Sequence, residues 1–169
     1  SVMVMRDHHR SALYAAERMA FGVFDGAGPT RAARIGGVDI TVPPEARFAS
    51  IESICDYVDR VMAMPTVMAR FPRSSAPVRV RARRGAAAAT YEPGPDGGVI
   101  AIPETASGRW ALRELVVLHE LAHHLDDSGG AAHGAAFRGA LVDLVGIVVG
   151  PEARHIYRVV FGQSGLPVR

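Results

Sequence analysis

The sequence contains very little cysteine. Cys55 is the only one among 169 residues, so no intrachain disulfide can form. A single thiol also excludes a metal site built from several cysteines, such as a zinc ribbon. Chains without disulfides are typical of reducing compartments, and we therefore expect a cytoplasmic location.

Long hydrophobic runs are missing as well. The apolar run at residues 144–149 is far shorter than the roughly 20 residues that a transmembrane helix needs. Residues 1–5 lack the long apolar core of a signal peptide. We therefore expect no association with membranes.

Excess charge of one sign is also small. The formal net charge is +2 with neutral histidines, which does not by itself predict a nucleic-acid partner. With 49% hydrophobic and 21% charged residues, the chain is long enough for one domain with a substantial core. It contains no repeat, low-complexity tract or linker, so we expect a single domain over residues 1–169.

The motif with the clearest chemistry lies in residues 115–127, LVVLHELAHHLDD, and has the form HExxH. On a helix, His119 and His123 are about 40° apart around the axis and about 6 Å apart along it. Both imidazoles can therefore point at one metal ion. Glu120 is turned by about 100° from His119, where it can hold a water on the metal without being a ligand.

The residues around this motif have the pattern of a buried helix with one polar side. The motif side also carries Arg113, His124 and Asp127, and the opposite side is apolar from Leu115 to Leu125. A short motif of this kind can also arise by chance, and a surface pair of histidines is the alternative interpretation.

A catalytic zinc site needs a third protein ligand and one open position. We favour His133, because Gly129 and Gly130 can reverse the chain after the helix and bring that histidine back. Asp143 and Glu152 are the competing third ligands. An ordinary histidine at the entry of a helix is the structural alternative for His133.

The pattern HExxH followed by nine residues and His-Gly-x-x-Phe resembles the SprT-like zincin metallopeptidases. The chain also resembles an actinobacterial family of metallohydrolases of similar length. That resemblance covers nearly the whole chain and includes RD at residues 6–7, YxAE at 14–17, RFAS at 47–50, VRVR at 78–81 and WALREL at 110–115. It implies a zincin-like fold in which His119, His123 and His133 bind Zn²⁺ and Glu120 is the general base.

The predicted fold class is α+β, with a small antiparallel or mixed sheet packed on the HExxH helix. Periodicity predicts helices at residues 7–24, 51–64, 134–150 and 152–161, and strands at 37–42 and 99–102. Ser50 and Ser53 have the spacing of a capping box at the second helix. Residues 77–92 have the pattern of a hairpin that turns at Arg84-Gly85.

The function we expect is zinc-dependent hydrolysis, in particular by a metallopeptidase acting on a peptide or protein substrate. One alternative is a non-catalytic, zinc-stabilised binding module in which Asp126 or Asp127 supplies a fourth ligand. The other is a nucleic-acid-associated protein. It would use the arginine stripe, which we define as Arg79, Arg81, Arg83 and Arg84. A solvated or carboxylate-paired face of a sheet also explains this stripe.

Overall fold

The computed structural model describes residue 7 and residues 9–85, 88–104 and 112–168. These residues form six α-helices and five strands, a mixed α/β arrangement. They divide into two compact units, one made of Ser1–Pro44 with Ser128–Arg169 and the other of Glu45–Asp127. No helix within the described ranges is long and apolar enough to cross a membrane. Arg6, Trp110 and Ala111 of the family-like motifs lie outside these ranges.

The first unit contains three helices and a two-stranded hairpin. They are α1 (Arg10–Gly26), β1 (Ala32–Ile35), β2 (Val38–Thr41), α5 (Ala135–Val148) and α6 (Pro151–Gln163). Helices α1 and α5 both pack on α6, and β1 pairs with β2 in antiparallel register. The predicted strand at residues 37–42 is β2, whereas its partner β1 was not predicted.

The helices of this unit form because their apolar residues recur at helical spacing. Leu13, Ala16 and Ala20 of α1 are fully buried, and so are Phe137 and Leu141 of α5. Gly150 and Pro151 separate α5 from α6, with proline in the first turn of α6, where its missing N–H is not needed. The predictions for all three helices are confirmed apart from their end residues.

The second unit contains a three-stranded sheet and three α-helices. They are α2 (Ile51–Met62), α3 (Pro65–Arg70), β3 (Val78–Arg83), β4 (Thr90–Gly94), β5 (Gly97–Pro103) and α4 (Glu114–Leu125), with a 3₁₀ helix at Pro72–Ser75. Helix α2 packs on β3, and α4 packs on β4 and β5. The predicted capping box is present at α2, where the Ser53 amide donates to the Ser50 hydroxyl at 3.1 Å.

The predicted hairpin at residues 77–92 is wrong. The strand order is β3-β5-β4, so β3 and β4 both pair with β5 and not with each other. Strand β5 is parallel to β3 and antiparallel to β4, which makes the sheet mixed. The apolar residues Ile100–Ile102 are completely buried and occupy the central strand, since only that strand has both edges paired. Ala86 and Ala87 of the predicted return strand lie outside the described residues.

The start of α4 is fixed by a buried polar network. Backbone hydrogen bonds join Phe48 N to the Leu112 carbonyl at 2.9 Å and Glu114 N to the Ala46 carbonyl at 3.0 Å. The Glu45 carboxylate accepts from Arg113 Nε at 2.9 Å, from Arg113 Nη2 at 2.5 Å and from the Leu115 amide at 3.0 Å. The last of these bonds satisfies an N–H that the first helical turn leaves without a partner. The network therefore determines where the motif helix begins.

Candidate metal centre

The HExxH motif lies in the middle of α4, as predicted. His119 and Glu120 are only 2% and 5% exposed, and His123 is half-buried. The two histidine rings lie with centroids 5.0 Å apart and planes at 69°. The polar side of this helix is thus buried together with its apolar side. Such burial is unusual for charged and imidazole groups.

His133 lies in the turn immediately before α5 and is 5% exposed. Gly129 has a φ of +69°, in the left-handed region that favours glycine, and the Gly134 amide donates to the Ala131 carbonyl at 3.0 Å. Gly129 thus has a conformation that favours glycine, and a turn at residues 131–134 precedes α5.

The structure brings three of the predicted site residues together. Ligand atoms of His119, His123 and His133 all lie within 4.8 Å of one another, close enough to bind one metal ion. Asp143 and Glu152, the competing third ligands, are not members of this cluster. Neither are Asp126 and Asp127, the candidate fourth ligands.

The chemistry of this donor set fits zinc. Three imidazole nitrogens with no thiolate are a common catalytic zinc set, and they leave a coordination position open. The one cysteine is not part of the cluster. Burial raises the pKa of the Cys55 thiol, and so do the nearby carboxylates of Asp59, Asp56 and Glu52. That thiol therefore stays protonated at neutral pH, which is the form that does not bind zinc.

His124 is a buried neutral histidine whose two nitrogens already have partners. Nε2 lies 2.9 Å from the Ala76 carbonyl, which can only accept, so this nitrogen carries the proton. Nδ1 then accepts from the Tyr91 hydroxyl at 2.7 Å. Burial lowers the pKa of His124, which favours the neutral ring. These bonds explain why His124, although adjacent to His123, has no free nitrogen for a metal.

Nothing in the sequence marks Tyr91 as a site residue, although its ring contacts two histidines of α4. Its ring is nearly parallel to that of His123, with an interplanar angle of 13° and centroids 6.4 Å apart. It meets His124 edge-on at 5.5 Å. The ring occupies the space above Gly98, where an added Cβ would lie 2.1 Å from the Tyr91 oxygen. Strand alternation alone could not have revealed these contacts, because they depend on which strand lies beside α4.

In the sequence, Asp7 is notable only as part of the family-like motif RD at residues 6–7. Its carboxylate Oδ2 accepts a hydrogen bond from His133 Nδ1. The two residues are 126 positions apart in sequence, so only the folded chain brings them together. A sequence search for a carboxylate partner of His133 would have had many equivalent candidates.

Two members of the arginine stripe have partners within the second unit. Arg81 forms an ion pair with Glu92 of β4 at 3.5 Å, and Arg83 donates to the Ala88 carbonyl at 2.6 Å. Both members of the Arg81–Glu92 pair are about half exposed. The carboxylate-paired explanation therefore fits Arg81.

Comparisons with protein-family models, curated proteins and solved structures found no significant match to this chain. The resemblance to zincin metallopeptidases therefore stays a prediction. What the structure contributes is the geometry of the histidine cluster and of its surroundings.

Proposed function

We propose that this chain is a zinc-dependent hydrolase, and in particular a metallopeptidase with a zincin-like arrangement. The observation that carries the proposal is the cluster of three histidine ligand atoms within 4.8 Å, with Glu120 next to one of them on the same helix. Three protein ligands and an open position are the pattern of catalytic zinc sites. A structural zinc site would need a fourth protein ligand, and none of the carboxylates considered belongs to the cluster.

In this proposal, the three histidines and Glu120 have different roles. His119, His123 and His133 would hold zinc, which when bound would serve as a Lewis acid that polarises a carbonyl and lowers the pKa of water. Glu120, buried beside the ligands, accepts a proton from the attacking water and returns it to the departing amine. Burial of Glu120 strengthens its interaction with the reacting groups, because few water molecules screen it. The substrate is a peptide or protein, and the location is the cytoplasm.

The experiment that tests this proposal combines metal content with turnover. Purified protein is expected to contain about one zinc per chain. Glu120→Gln should keep zinc and lose about 10²–10⁴-fold in hydrolysis of a peptide library, since general acid–base catalysis is worth that much. His133→Ala should lose metal, and Glu152→Ala, the matched control, should not.

Three outcomes would contradict the proposal. Absence of zinc in the wild-type chain would remove the metal centre. Loss of zinc in Glu120→Gln would make Glu120 a ligand, and undiminished activity with zinc retained would show that it is not the base. Metal loss in Glu152→Ala but not in His133→Ala would show that the third ligand is wrong.

A further inference from the structure

The ring of His133 is held by a carboxylate from the other end of the chain. Nδ1 of His133 donates to Oδ2 of Asp7, which precedes α1. A carboxylate oxygen can only accept, so Nδ1 carries the proton of the neutral ring. In this tautomer Nε2 carries the ring lone pair, so it is the nitrogen of His133 that a metal can bind.

The same histidine is restrained on its other sides. The ring of Tyr14 meets it edge-on at 5.5 Å, and that of Phe137 is perpendicular to it at 5.2 Å. The buried Arg138 guanidinium donates to the His133 carbonyl at 2.8 Å. Packing and the backbone bond therefore fix the position of the ring. The two aromatic rings and the bond to the His133 carbonyl do not select which ring nitrogen carries the proton, because none of these contacts distinguishes the two tautomers.

The carboxylate of Asp7 lies in an unfavourable environment for a charged group. Its side chain is only 23% exposed. Its second oxygen, Oδ1, is buried and accepts no hydrogen bond from any residue that the structure describes. A buried carboxylate oxygen without a donor is unfavourable, because it has lost its hydration and gained no hydrogen bond in exchange. A dication on the far nitrogen of the paired ring would offset that cost by adding positive charge.

We propose that Asp7 is a positioning residue of the metal centre, which holds His133 in the Nδ1–H tautomer so that Nε2 binds the metal. The inference rests on the metal centre proposed above. It makes Asp7 a part of the site, although this residue lies 126 positions from His133 in the sequence. Partners of this kind typically change metal affinity about 10–100-fold.

The first measurement is zinc affinity by competition with a chromogenic chelator at pH 8. Asp7→Asn keeps the shape of the side chain and removes its charge, and we expect its Kd for zinc to rise about 10–100-fold. Asp39→Asn is the matched control, because Asp39 lies in the same unit and its side chain is 80% exposed. Its Kd should equal that of the wild type. Asp7→Glu should recover part of the affinity, which a purely structural role would not require.

The second measurement reads the tautomer directly and needs no metal. Long-range ¹H–¹⁵N spectra of the metal-free chain should show His133 protonated at Nδ1, and in Asp7→Ala the Nε2–H form should gain population. An Nε2–H ring in the wild type would overturn the proposal, whatever the zinc affinities are. An unchanged zinc Kd in Asp7→Asn together with an unchanged tautomer in Asp7→Ala would also overturn it. Failure of the wild type to bind zinc would instead refute the metal centre itself, which distinguishes the two cases.

Discussion

The buried ion pair at the start of α4 gives the sharpest prediction about stability. The side chains of Glu45 and Arg113 are only 4% and 7% exposed, and two hydrogen bonds at 2.9 and 2.5 Å join them. Removing one partner of a buried pair deprives the other charge of its main counter-charge and typically costs about 3–5 kcal/mol. We therefore expect Glu45→Gln and Arg113→Met each to lower the free energy of unfolding by about this amount.

The double variant Glu45→Gln with Arg113→Met should lose less than the sum of the two single variants. Neither charge remains buried in it, so the main penalty is absent. What remains is a weaker acceptor for the Leu115 amide, and the loss of such a cap is worth about 0.5–2 kcal/mol. The interaction free energy of the cycle should thus amount to several kcal/mol in favour of the intact pair.

The assay is urea and thermal unfolding followed by circular dichroism, with a chelator present so that metal binding adds nothing to stability. For a chain of this size, each kcal/mol lowers Tm by about 2–4 °C, so each single variant should unfold about 6–20 °C earlier. Asp39→Asn breaks the exposed Arg34–Asp39 pair and is the control. Its change should stay within about 0.5 kcal/mol.

Two results would refute this reasoning. If the two single changes simply added in the double variant, the charges would not be interacting as a buried pair. If the single variants matched the exposed control, water would be screening the pair and its burial would carry no energetic weight.

Two further predictions concern the sheet. Gly98→Ala should destabilise the chain by about 1–3 kcal/mol and disturb the ring of Tyr91, because the new Cβ would lie 2.1 Å from the Tyr91 oxygen. The control is Gly22→Ala in an exposed part of a helix, which should be neutral or stabilising because nothing lies within 4 Å of the new Cβ. Near-ultraviolet circular dichroism and unfolding curves check both variants. Replacing Arg79, Arg81 and Arg83 by glutamine should leave peptide turnover nearly intact. A large loss of turnover, in parallel with a loss of salt-dependent nucleic-acid affinity, would favour the nucleic-acid alternative.

The sequence by itself determined the features that depend on neighbours along the chain. The spacing of Leu115, Leu118 and Leu121 predicts α4, because residues three apart share one side of a helix. The same helical geometry places His119 and His123 side by side. Ser50 and Ser53 define a helix start through hydrogen bonds made within one turn.

Only the tertiary structure decided the features that depend on distant contacts. Strand order is one: alternation in β3 and β4 suggested a hairpin, but burial of Ile100 and its neighbours placed β5 between them. The partners of the histidines are another. Many aspartates and tyrosines could pair with an imidazole, and nothing local distinguishes Asp7 or Tyr91 from the rest. These contacts form only when folding brings together residues that are far apart in the sequence. The periodicity of a helix or strand carries no information about which residues will meet across the core.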